Sequence, residues 1–88
     1  MALTGMDIQE VRNLATQMNS AAGDISNLAQ RLTVQLQGTS WIGPDREQFA
    51  SEWQSTHVAQ LHQVAQALEN ASRLANQNAM QQEQASNT

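Results

Sequence analysis

Two histidines, His57 and His62, are the side chains in this 88-residue chain best suited to holding a metal or moving a proton. Five residues apart on a helix, they point about 140° away from each other, so one chain cannot close them on one ion. His57 is read as a seam or boundary residue and His62 as a solvent one. Serines and carboxylates are present, but nothing in their spacing fixes a nucleophile, a base and an orienting group around a pocket. There is no cysteine, which removes thiolate chemistry, disulfides and zinc-finger spacing. Gly5, Gly23, Gly38 and Gly43 are dispersed singly, so no phosphate-cradling loop exists. The chain is read as not an enzyme, with no cofactor and no metal. What remains unusual is Trp41-x-Gly43, inside "TSWIGPD": a bulky indole in a segment whose neighbours read as a turn.

The elements around that turn are legible from periodicity. Apolar residues at Ile8, Val11, Ala15, Met18, Ala22, Ile25, Ala29, Leu32 and Leu36 follow an unbroken 3,4 alternation, a heptad seam over four repeats. Leu14, Ala21 and Leu28 add a third apolar position per heptad, widening the stripe to that of a bundle helix. Ala15, Ala22 and Ala29 form a small-residue ladder against which another helix can approach closely. Gly23 lies just off the seam and does not interrupt the helix.

Gly38 is placed for a left-handed C-cap, and "GTS" supplies the break. Pro44 suits the first position of a new helix with Gly43 as N-cap, while Asp45 and Glu47 favour the positive end of its dipole. The second apolar face reads Phe49, Ala50, Trp53, His57, Leu61, Val64, Leu68, Ala71 and Ala75. Its 4,4 spacing near His57 resembles a stutter and predicts a local change of supercoil. Met6 and Met18 are packing residues. From Met80 the chain turns polar and aperiodic, predicting a frayed tail. The expected organisation is a single domain: helix 7-37, turn 38-43, helix 44-79 and flexible tail 80-88. The fold class is all-α, an antiparallel two-helix hairpin roughly 45 Å long. A lone hairpin leaves half of each stripe uncovered, so two should pair into a dimeric four-helix bundle. Hairpin and dimer packing is assigned to Ile8, Val11, Leu14, Ala15, Met18, Ala22, Ile25, Leu28, Ala29, Leu32, Leu36, Phe49, Trp53, Leu61, Val64 and Leu68.

Composition narrows the partners. Four scattered arginines, no lysine and eight acids give a net charge of -4, against nucleic-acid binding. Apolar runs reach only two or three residues, far short of the ~20 needed for an integral membrane segment. Fourteen glutamines lie mainly on outward positions, a solvated helix surface. The first residues show neither a cationic start nor an apolar core of the kind a Sec signal needs.

With a Trp-x-Gly turn between two amphipathic helices, the chain resembles the WXG family of small ESAT-like proteins exported by type VII secretion. Trp41 and Gly43 match the family motif, and "TSWIGPDREQFASEW" is similar to many actinobacterial members, with Phe49 and Trp53 at aromatic and core positions. The resemblance covers nearly the whole chain. It implies a hairpin that folds in the cytoplasm, dimerises with a homologous WXG-family subunit or with itself, engages a secretion ATPase as a dimer, and leaves by a non-Sec route. It also implies that the recognition turn, Trp41 and Gly43, lies beside the C-terminal signal of the other subunit. Signal-bearing members carry Tyr-x-x-x-Asp/Glu after the second helix; this chain has no tyrosine and reads "ANQNAMQQEQ" there, which makes it similar to the signal-less member of a pair. Two other readings stand beside this one: an intracellular helical dimerisation module, and an exported membrane-active effector. The glutamine-rich, acidic polar face weighs against the last, since interfacial helices are usually basic.

Overall fold

The computed structural model describes residues 6–86, and these are helical throughout apart from the segments before Ile8 and between Gly38 and Pro44. Helix α1 spans Ile8–Gly38, α2 Pro44–Glu52 and α3 Val58–Ser86, with a π-helical turn over Trp53–His57 joining the last two into one rod. No strand occurs among the described residues.

Local chemistry explains each boundary. Asp7 caps α1 by accepting a hydrogen bond from the Glu10 backbone N–H at 3.0 Å, and the helix continues through Gly23. At the other end Gly38 keeps helical geometry, and the left-handed cap expected there does not form. Thr39 ends the helix instead: its backbone is extended, its N–H donates to Leu36 O at 3.2 Å, and its hydroxyl donates to Gln35 O at 2.6 Å. Two otherwise orphaned carbonyls are thereby satisfied, so no left-handed residue is needed. Pro44 opens α2 at the position where its missing N–H costs nothing.

Helix α1 lies along α3, the two running in opposite directions. Arg12 meets Glu83, Ala15 meets Ser72, and Thr33 meets Trp53. The molecule measures 66 × 17 × 17 Å, longer than the expected 45 Å. The α2–π–α3 rod accounts for this, since its 43 residues reach about 64 Å at 1.5 Å per residue. The helix also passes the expected stop at residue 79. Ala79 is fully buried and Glu83 pairs with Arg12, so tertiary contacts join the good helix formers of Met80 to Ala85 in extending the helix to Ser86. Residues 87–88 of the expected tail lie outside the described residues.

The core is a ladder of small side chains. Ala15, Ala22 and Ala29 of α1 are 0–1% exposed, and they face Val58, Ala65, Ser72 and Ala79 of α3. Both sets step by seven residues, and no large side chain is fully buried. The expected second seam is therefore corrected. His57 is exposed, Val64 is 48% exposed, and Leu61 and Leu68 are half-buried flanks of a line running one residue later, through Val58, Ala65 and Ser72. Helices approach closely only where both sides are small, so the smallest residues face α1 and the larger aliphatics turn outward. Ser72 tightens the seam by donating its hydroxyl to Ala15 O at 2.6 Å.

Candidate functional site

The loop end gathers the aromatic residues. Gly43 has φ 131° and ψ 177°, in the positive-φ region that a β-carbon disfavours. That conformation turns the chain from the non-helical Thr39–Ile42 segment into Pro44, and it accounts for the glycine of Trp-x-Gly. Two residues earlier, Trp41 lies against Phe49, the ring centroids 5.3 Å apart and the planes tilted by 50°, a favourable aromatic geometry. Trp41 remains 38% exposed and the adjoining Ile42 is 96% exposed.

The π-helical turn sets the third aromatic. The Val58 N–H donates to Trp53 O, five residues back, which places one extra residue in the turn. This is the structural form of the 4,4 irregularity near His57. It lets Val58 fall in line with Ala65 and Ala79 while Trp53, one turn earlier, faces the end of α1. The Trp53 indole N–H donates to Thr33 Oγ1 at 2.9 Å, and the Thr33 hydroxyl donates to Ala29 O at 2.8 Å. Trp53 is thus fixed by a bonded chain that ends in the alanine ladder.

Between these aromatics opens a cleft of about 310 Å³ lined by Leu32, Gln35, Leu36, Thr39, Trp41, Phe49 and Trp53. Phe49, expected among the hairpin and dimer packing residues, is 46% exposed in the single chain and lines this cleft. A second groove of about 450 Å³ lies on the other side, lined by Ser26, Ala29, Gln30, Thr33, Val34, Gln37, Gln54, Val58 and His62. His62 and His57 are both exposed, and no cluster of metal-ligating side chains forms among the described residues.

The two grooves belong to two different faces. On the side closed by the Arg12–Glu83 pair at 3.1 Å, steps of seven residues give Asn19, Ser26 and Thr33 on α1 and Asn76, Glu69 and His62 on α3. Every one is polar. The opposite flank carries Val11, Met18, Ile25 and Leu32 with Leu14, Ala21 and Leu28 beside them, facing Leu61, Leu68 and Ala75 with Val64 and Ala71. Of these, Leu14 is 51% exposed and none reaches full burial. The residues expected to pack a hairpin and a dimer thus divide. The alanines hold α1 to α3, and the larger aliphatics form one uncovered apolar face running from Ile8 to the aromatic cleft.

Sequence reasoning missed Val58, Ala65, Ser72 and Ala79 as the partner ladder. Their seven-residue spacing was the available signal, obscured because one member is serine and the neighbouring leucines and valine attract attention first. It also missed the Asp7 cap, which the Asp-x-x-Glu spacing advertises. Comparison with protein-family models, with curated proteins and with solved structures finds no match for this chain.

Proposed function

We propose that the chain is an interaction protein: an antiparallel helical hairpin that pairs through its apolar face into a four-helix bundle and presents the Trp41–Gly43 turn for recognition. One observation carries this reading, the one-sided distribution of side chains, in which the heptad positions beside the seam are mostly large aliphatics on one flank and polar on the other, with Val34 an exposed aliphatic on the polar side. A contiguous apolar face on so small a molecule is a binding surface. The partly exposed Trp41, held at the tip by Phe49 and by the backbone of Gly43, fits a recognition role better than that of a buried plug.

The resemblance to the WXG family then gives the context: a type VII secretion substrate or co-substrate that folds and dimerises in the cytoplasm, is engaged as a dimer by the secretion ATPase, and leaves by a non-Sec route. None of the described helices is long and apolar enough to cross a membrane. Sedimentation velocity over a hundredfold concentration range tests the pairing, and a compact monomer at every concentration would sink it. An export assay in cells carrying and lacking the secretion system tests the route, which fails if the protein appears outside equally in both.

A further inference from the structure

We infer that the residue of the turn which a partner grips is Ile42, seated in a concave apolar pocket of a different protein, and that Trp41 and Gly43 are positioning residues that hold it out. This rests on the reading that the turn is recognised at all; what it adds is the contact residue and the chemistry of the surface that receives it.

The three residues of the turn are engaged differently. Trp41 lies against Phe49, with 5.3 Å between ring centroids, and Gly43 supplies the positive φ of 131° that sets how the chain enters α2. Ile42 does neither. At 96% it is the most exposed of the large apolar residues described, ahead of Val34 at 61% and Leu74 at 58%, and it does not line the aromatic cleft. Val34 and Leu74 belong to helices, where the pitch fixes which side chains point outward. A connector carries no such constraint, and a small polar residue would serve there as well. The exposed aliphatic is therefore not a by-product of helix geometry.

The backbone around Ile42 is equally unengaged. Ser40, Trp41 and Ile42 lie outside both helices, and no N–H or C=O of these three makes a hydrogen bond within the chain. The residues on either side are bonded: the Thr39 N–H donates to Leu36 O, and the Glu47 N–H donates to Gly43 O. A surface that receives Ile42 thus meets three consecutive free residues of main chain, whose hydrogen bonds give affinity while a side-chain pocket gives selectivity. A second copy does not supply that surface. The end of the molecule measures 17 × 17 Å, roughly 300 Å² against the ~800 Å² per partner of a standard interface, so two tips meeting bury too little. A concave partner that closes around the tip, with an apolar pocket for one β-branched side chain and hydrogen-bonding groups at its rim, buries more over the same cross-section.

The test measures binding of the full chain and its variants to the purified secretion ATPase, with thermal melts and sedimentation of the same samples. Ile42→Ser loses no contact within the chain, so its melting temperature should stay within about 1 °C of the parent and its self-association should be unchanged. Its Kd for the ATPase should rise about tenfold or more, the loss expected when an aliphatic side chain leaves an apolar pocket. Ile42→Val, which keeps a β-branched apolar side chain, should stay within about fivefold. If Trp41→Ala weakens binding and Ile42→Ser does not, this inference is overturned and recognition of the turn stands. An Ile42→Ser chain that loses self-association while keeping the ATPase places a second copy on Ile42 and overturns it as well. A parent chain that the ATPase does not bind removes both this inference and the recognition reading beneath it.

Discussion

The alanine seam and the aromatic loop end solve opposite problems with opposite side chains. Along the seam, Ala15, Ala22 and Ala29 meet Val58, Ala65, Ser72 and Ala79, all at or below 7% exposure, so stability comes from close backbone approach and not from bulky burial. At the loop end the bulky residues Trp41, Phe49 and Ile42 gather and none is buried. A small-residue seam binds two helices with little apolar area of its own and turns the larger aliphatics aside to a common face. The loop end holds its aromatics in place through Gly43, the π-helical turn and the Trp53–Thr33 bond while leaving them accessible. One region is sealed, the other left accessible.

The comparison breaks most sharply at Ala22. It is 1% exposed in the middle of the ladder, so Ala22→Leu forces the helices apart and should destabilise by up to about 3 kcal/mol. Gln30, exposed and one step from Ala29, serves as the control, and its replacement by alanine should stay within about 0.5 kcal/mol. Thermal melts of the two variants at equal protein concentration check this; equal melting temperatures would mean that the seam is not tightly packed.

A smaller effect is expected at the other end. Trp41→Ala removes a ring that is 38% exposed and touches Phe49, so it should cost about 1 to 2 kcal/mol, well below the ~3 to 5 kcal/mol of a fully buried tryptophan. Helix content should be preserved while export falls. Circular dichroism beside an export assay separates the roles, and a stable variant exported as well as the parent would show that the turn is not recognised.

The smallest change tests the one polar link inside the seam. Ser72→Ala keeps the side chain small enough for the ladder and loses only the hydroxyl bond to Ala15 O, so the loss should be about 1 kcal/mol. Urea unfolding with an unchanged m-value would confirm that packing survives. A loss several times larger would mean that the hydroxyl, more than the alanines, sets the separation of the helices.

Much of this was written in the sequence. The 3,4 alternation of α1, the alanine ladder, the start of α2 at Pro44 and an irregularity near His57 all follow from local spacing, because helical periodicity and proline geometry act within a few residues of themselves. The second seam was not legible in the same way. Choosing between Val64 and Ala65, or Ala71 and Ser72, depends on how closely α1 approaches, and that distance is fixed by α1's own alanines some forty to sixty residues away. Helix continuation through 80–86 combines good helix formers, Met80 to Ala85, with the burial of Ala79 and the Arg12–Glu83 pair, contacts that only the tertiary structure reveals. The sequence by itself thus determined that the chain is helical and where its turn lies. Only the tertiary structure decided which face is sealed and which is left apolar, because burial is a property of two surfaces meeting and a single helix cannot specify how near its neighbour will come.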